Sequence, residues 1–427
     1  MRNFTRIFLF VLLAALLSMT FSIVAAQDEP VTLNLWIFEG EDVFLPAVID
    51  AFQAEHPNIT IQITDIPEDE YVTKIDTAML AGEPPDLGYI YERRWVVGGY
   101  FLPLDDKIAA AGINIDDYNV GGMTQACQVD DHVYCIGTYT GAVLMFYNKD
   151  LFDAAGVPYP SATEPMTIDE YADMAHKLTV QSDNIDQRIW GGDADTTIWW
   201  MDAHNIFSED GRSVEGYLND EATAHTYQVI GDMHTNGSII SASEASLVAG
   251  ADLLSTGRLA TSIIDNAVAV PQLEAQGINW GAAVPPVEKA GDLPWVALWS
   301  DGLGVFNLSA HKDEAAMFAT FLGTRGNELR LEVTGDLPLN MRLAEEANWA
   351  GDSEGRKEVL AAVKTARAPL FIPDYWGVLD PVWDVISGLM LEDGMSAQDA
   401  LNEVTPDVQD NLDEAWHTWE QVAQTSS

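Results

Sequence analysis

The stretch Gly141–Val157, GAVLMFYNKDLFDAAGV, decides how this chain is read. Gly141 to Phe146 is continuously apolar and short, the pattern of a strand buried on both faces. Polar residues follow at once. Asn148 or Asp150 is placed to cap a short helix over Leu151 to Ala155, which Gly156 and Pro158 close. A strand that runs straight into a helix belongs to an α/β layer rather than to a hairpin protein.

Upstream, the same alternation of element types repeats. Val31–Phe38 (VTLNLWIF) reads as a strand. Glu41 to Glu55 carries Val43, Phe44, Val48, Ile49 and Phe52 at helical spacing and stops at His56-Pro57. Ile59–Ile66 reads as a second strand, Asp69 to Ala81 as a helix closed by Gly82, and the segment after Pro84-Pro85 as a third strand. This β-α-β-α-β order implies a parallel sheet with right-handed crossovers. Asp86 is expected to turn the chain before its strand. Downstream, Thr167 with Glu170 three residues later forms a capping box for a helix in MTIDEYADMAHKLT. Strands are expected within Leu259–Asp265 and Ile278–Val287, and a strand, turn and long amphipathic helix within Gly302–Thr324. The tail from Pro381 to Val422 reads as helical, broken at Gly394 and Pro406. No repeat and no low-complexity linker separates the halves, so they are expected to exchange strands.

The first 26 residues stand apart. Arg2 and Arg6 form a basic start, Ile7 to Met19 is almost continuously apolar, and Val24-Ala25-Ala26 supplies small residues for cleavage. This is the pattern of a secretory signal peptide, so a soluble, periplasmic or extracellular location is expected. The chain of 427 residues is too long for one core and suggests two lobes. Lys and Arg number 20 against 67 Asp and Glu, a formal net charge of −47. That field repels nucleic acids, free anions and anionic membranes, and leaves neutral or cationic partners. Its 48% apolar content argues for a folded chain. The two cysteines, Cys127 and Cys135, flank Asp130-Asp131-His132 in what reads as a short hairpin. In a secreted protein they are expected to form a structural disulfide, contributing about 2–3 kcal/mol by loop closure. No zinc set can be built from scattered histidines without a third cysteine.

Taken in order, the segments resemble the extracellular solute-binding proteins of ABC importers, in the sugar- and oligosaccharide-binding family that includes maltose-binding protein. LWIFEG with FQAEHPNITI resembles the family's first strand and helix, and AMLAGEPPDLGYIY its next strand entry. VYCIGTYTGAVLMFYNKDLFDAAGVPYP resembles its crossing strand and the Y-N-K-D-L-F helix start; GRLATSIID, WGAAVPP, LEVTGDLPLN and GMSAQDALNEVTPDVQDNLDEA follow in family order. The resemblance implies an α/β, two-lobed periplasmic-binding-protein fold of the clamp-like type II, with interlobe crossovers and a helical C-terminal tail. It implies residues 27–139 with 297–345 as lobe 1, and 140–296 with 346–427 as lobe 2. It further implies a monomer that captures a sugar, needs no cofactor, catalyses nothing, and delivers its ligand to the transmembrane subunits of an ABC permease. Two places depart from the family: the cysteine-flanked hairpin, and Asp265-Asn266-Ala267 where the family often carries Trp.

Ligands in open α/β lobes lie beyond the C-terminal ends of the strands. A sugar offers flat C–H faces to aromatic rings and a rim of hydroxyls to carboxylates, amides and guanidinium groups. Position then selects Glu39 and Glu41 after the first strand; Glu92, Arg93 and Trp95 after the third; Tyr139 before the crossing strand; Asp265 and Asn266 after the Leu259–Asp265 strand; Trp299 and Ser300 at the return; and Trp376 after Pro373. Trp199, Trp200 and Asp202 occupy a region of the second lobe where the family often places stacking aromatics. Trp190, Trp280, Trp383, Trp416 and Trp419 read as packing. Two other functions compete. A clamp for a polyamine or other cationic solute suits so acidic a chain and the same aromatics. A secreted glycoside hydrolase needs a positioned carboxylate pair, which 67 acids make trivial to find. No H-E-x-x-H or P-loop is present.

Overall fold

The computed structural model describes residues 29–38, 43–118, 127–129, 132–193, 206–241, 244, 247, 248, 253–294, 296, 298–300, 302–365, 370, 372–374, 377–379 and 385–425. The segment read as a signal peptide lies outside them.

Alternation along β1 (Val31–Phe38) buries Leu33, Leu35 and Ile37 and turns Thr32 and Asn34 outward. Helix α1 (Leu45–Glu55) has Pro46 in its first turn, buries Leu45, Val48, Ile49 and Phe52, and stops before Pro57. It starts later than the sequence suggests, since Val43 and Phe44 precede it. Then come β2 (Ile59–Ile66), α2 (Glu68–Ala81) and β3 (Leu87–Tyr89). Gly82 ends α2 at φ 73, a left-handed backbone that glycine adopts without a Cβ clash. β1 pairs in parallel with β2 along its whole length, from Val31↔Ile59 to Phe38↔Ile66, and with β3 on its other side. The expected β-α-β-α-β sheet is therefore present. The Asp86 carboxylate ahead of β3 accepts the Asn34 N–H at 2.8 Å and the Ser309 hydroxyl at 2.6 Å, a turn-holding role.

Beyond β3 come α3 (Arg93–Val97), α4 (Asp105–Ala110) and the antiparallel pair β4 (Gln128–Val129) and β5 (His132–Val133). The disulfide Cys127–Cys135 closes this hairpin with its Cα atoms 4.8 Å apart. β6 (Gly141–Asn148) follows, and every residue of it is buried. Asn148 accepts the Asp150 and Leu151 N–H groups at 3.0 and 3.3 Å and starts α5 (Lys149–Ala155), which Gly156 ends at φ 67.

The second sheet is built around β6. α6 (Ile168–Leu178) opens with the complete Thr167–Glu170 capping box. α7 (Glu221–Thr235), β7 (Thr261–Asp265), α8 (Asn266–Ala275), β8 (Trp280–Ala283) and β9 (Leu298–Trp299) follow. β7 and β8 flank β6 and run antiparallel to it, as does β9 at its start. Two layers explain the unbroken apolar run. Val143, Met145 and Tyr147 face one cluster with Phe152, Tyr171 and Ile230, while Ala142, Leu144 and Phe146 face another with Trp190, Trp280 and Val359.

β10 (Leu303–Val305) returns to the first sheet, antiparallel to β3, giving the order β10-β3-β1-β2. α9 (Lys312–Phe321), a π-turn (Leu322–Gly326), α10 (Asn327–Thr334), α11 (Met341–Glu346), α12 (Glu354–Val363) and α13 (Ala397–Thr425) complete the chain. Gly394 separates α13 from the preceding turn at φ 70, as expected. Pro406 does not break the tail; it lies inside α13 on the exposed side. The opposite side buries Ala397, Leu401, Val404, Val408 and Leu412 in the second sheet's cluster, and that packing outweighs a proline cost of about 3 kcal/mol.

Candidate functional site

Three segments run side by side where the chain passes between the sheets. Gly137 pairs with Gly302, Gly141 with Trp299, and the Thr140 N–H donates to the Leu337 carbonyl at 2.7 Å. The Thr140 hydroxyl donates to the Pro338 carbonyl at 3.2 Å. Strand ends from both sheets meet beside these passes. The Ile90 N–H, just beyond β3, donates to the Gly302 carbonyl at 3.1 Å. That bond joins the end of β3 to the segment carrying Ser300.

Around the passes the structure gathers Tyr139, Asp265, Asn266, Trp299 and Ser300. β6 pairs Val143 with Asp265 and Gly141 with Trp299, so the end of β7 and the start of β6 are neighbours. Asn266 is buried, and its side-chain oxygen accepts the Ala142 N–H at 2.6 Å. Asp265 caps α8 by accepting the Ala267 N–H at 2.6 Å. Both polar ends thus hold backbone at the crossing. Tyr139 is buried beneath the Arg330 guanidinium, 3.9 Å from its ring centre. Ser300 is buried, and its hydroxyl has no hydrogen-bond partner among the described residues.

A second group stands at the end of β3. Glu92 precedes α3, and its carboxylate lies 3.8 Å from Arg94. Arg94 is committed elsewhere, to both oxygens of Asp76 at 3.0 and 2.8 Å. Burial pushes the Glu92 carboxyl up to about 7; Arg94 opposes that shift, while the negative charges of Asp374 and Asp76 add to it. Asp374 arrives from the C-terminal part of the chain with a left-handed backbone, φ 49, which Asp tolerates better than most residues. The Arg93 guanidinium lies 5.9 Å from the ring centre of Trp419 on α13. Trp95 is in the core, 1% exposed, with its indole N–H donating to Asp76 at 2.7 Å.

Glu39, Glu41, Trp199, Trp200, Asp202 and Trp376 lie outside the described residues, as does the side chain of Trp299. Phe38, the last residue of β1, packs against Tyr71, Tyr89 and Tyr91 at 5.0–6.0 Å between ring centres. Among the described residues, no three His, Cys, Asp or Glu side chains are placed to hold a metal ion. No described helix is long and apolar enough to cross a membrane.

Residues 39–328 match the family model of the bacterial extracellular solute-binding proteins. The chain belongs to that family. The binding protein is 24% identical over 372 residues to a protein of Brucella abortus named as a binding protein, covering 82% of this chain and 85% of that one. Among solved structures, an ABC substrate-binding protein from Listeria monocytogenes in complex with cycloalternan superposes with a TM-score of 0.76 at 20% identity, covering 91% of this chain and all of that one (100%). The sugar-binding protein MalE from Xanthomonas citri superposes with a TM-score of 0.74 at 18% identity, covering 91% of this chain and 99% of that one. The two-lobed type II fold expected from the ordered motifs is therefore the fold of this binding protein, including its helical C-terminal segment. Sequence reading missed Trp419 and Asp374 as neighbours of Arg93 and Glu92. Trp419 has the spacing of a helix-packing residue, and no local pattern says that α13 reaches the end of β3.

Proposed function

We propose that this binding protein captures a sugar or oligosaccharide between its lobes and delivers it to the transmembrane subunits of an ABC importer. The proposed division, residues 27–139 with 297–345 as lobe 1 and 140–296 with 346–427 as lobe 2, follows the first two passes, and the third pass, at Leu337–Pro338, comes a few residues ahead of the last boundary. The observation that carries the reading is the meeting of the first sheet's strand end with the C-terminal segment: Glu92 faces the charge of Asp374, and Arg93 underlies Trp419. Carboxylates, a guanidinium and an indole are the groups that hold a polyhydroxylated ring. The solved structures of the same fold, among them the Listeria monocytogenes protein in complex with cycloalternan and the sugar-binding protein from Xanthomonas citri, support the same reading. Ligand that contacts both lobes stabilises the closed form through contacts the open form lacks. No bond is made or broken, and the protein works as a monomer outside the cytoplasm.

A cationic solute is the second reading. Asp76, Glu92 and Asp374 act on one another around Arg94, an excess of negative charge that an amine would relieve. Thermal unfolding against mono- and oligosaccharides, polyamines and peptides separates the two. A specific ligand at a hundred times its dissociation constant adds about 2.7 kcal/mol of stability. A midpoint raised by one sugar class, and diminished in Trp419→Ala, is the expected result. A rise with polyamines alone transfers the site to cations. Turnover of a glycan with no rise from any compound overturns the binding reading.

A further inference from the structure

One buried cation touches two of the three interlobe passes. Arg330, on α10, is 8% exposed. Its Nε donates to Asp336, itself buried, at 2.8 Å, and a terminal nitrogen donates to the Thr138 hydroxyl at 3.1 Å. The guanidinium lies 3.9 Å from the ring centre of Tyr139 and 4.5 Å from that of Phe44. Thr138 and Tyr139 belong to the first pass. Asp336 opens the third, and Phe44 stands at the start of α1 beside the first sheet. One turn earlier on α10, Asn327 donates to the Gly137 carbonyl at 3.0 Å and accepts the Asn340 N–H at 3.2 Å. Asn327 and Arg330 are spaced i, i+3 and so share a helix face. That face grips the first and third passes together.

Stability alone does not account for this arrangement. Burying a guanidinium and a carboxylate costs desolvation that their attraction barely repays, and apolar side chains of similar volume would pack as well. What the pair adds is direction. A planar guanidinium fixes a carboxylate, a hydroxyl and two rings in one geometry, which a flexible ammonium cannot do.

We propose that Arg330 is a positioning residue of the interlobe hinge. It holds the first and third passes in the register that sets Tyr139 and Thr140 at the candidate ligand site, and thereby sets how far apart the lobes rest and how readily they close. The inference rests on the solute-capture reading for its effect on binding, but not for its effect on lobe separation. Its test uses the whole protein and two readouts. The first is lobe separation without ligand, from small-angle scattering and a spin-label pair spanning the lobes. The second is affinity and release rate for the sugar that raises the wild-type unfolding midpoint.

The double substitution Arg330→Met with Asp336→Asn removes both charges of this pair. The double variant is expected to shift or broaden the ligand-free separation and to weaken binding at least about fivefold, mostly through faster release. Arg330→Lys keeps the charge without the fork and is expected to fall between it and the wild type. A double variant with unaltered separation and an affinity within about twofold of wild type overturns the proposal. So does a variant that is only less stable, with affinity per folded molecule unchanged. Should the double variant not fold, Arg330→Lys and Thr138→Val decide, since each leaves the ion pair's charges in place. Unaltered separation and affinity in both overturn the proposal. Should the wild type bind no sugar, the capture reading fails, and the ligand-free separation still decides the role of Arg330.

Discussion

Burial has made Glu92 a carboxyl that titrates near neutrality, and the consequence for stability has a definite sign. Its value in the folded protein, about 7, lies above the ordinary value of 4.5. Between those limits the folded chain holds a proton that the unfolded chain has released. Stability contributed by this group is therefore full below about pH 4.5 and lost as pH rises through about 7. Glu92→Gln, which cannot ionise, is expected to flatten that slope and to unfold at a higher temperature than the wild type at pH 8. The gain is on the order of 1–3 kcal/mol, and melting curves between pH 5 and 8 measure it. Asp374→Asn removes a charge that raises Glu92 and should move the slope to lower pH. The strand-end position of Glu92 was legible in the sequence, and so was the adjacency of Arg93 and Arg94. Their division of labour was not. Which guanidinium meets Asp76 and which meets Trp419 depends on where α2 and α13 lie, and no spacing within Glu92–Trp95 encodes that.

Elements were more legible than contacts, because each announces itself locally. The alternation in β1, the Gly82 and Gly156 stops, the Asn148 cap and the Thr167–Glu170 box all act within a few residues, and all are present. The continuous burial of β6 was legible too, but not its partners. An unbroken apolar run fits a parallel sheet, yet β6 is antiparallel to β7, β8 and β9; it is apolar on both faces because helices cover both. Pro406 misleads for a related reason. Local rules price a proline in a helix without knowing what the far side of the helix buries. Here the proline sits on the exposed side of α13 while the opposite side is core. Pro406→Ala restores the missing N–H at a position where no packing is lost. It is expected to stabilise the protein by about 1–3 kcal/mol, as read from denaturant midpoints at unchanged slope.

Across the whole molecule, a net charge of −47 opposes compaction, so the thermal midpoint is expected to rise with sodium chloride from low ionic strength towards 0.15 M, about where the screening length falls to 8 Å. A midpoint independent of salt would mean that local pairs such as Arg94–Asp76 and Arg330–Asp336 already balance the repulsion where it matters. The exchange of strands between halves was legible from the lack of any linker. The meeting of the three passes was not, since it brings Gly137, Gly302 and Leu337 together across 200 residues of chain. The same return strand has a consequence for the order in which the protein is made. β10 pairs with the open side of β3, so the first sheet lacks its fourth strand until Leu303–Val305 has been synthesised. The lobe begun first cannot be finished first. A growing chain must carry the bare edge of β3 through the synthesis of most of its neighbour, and unpaired edges invite association. Chaperone protection of the nascent chain, or delay of folding until release, becomes a requirement of the topology rather than an accident of the host.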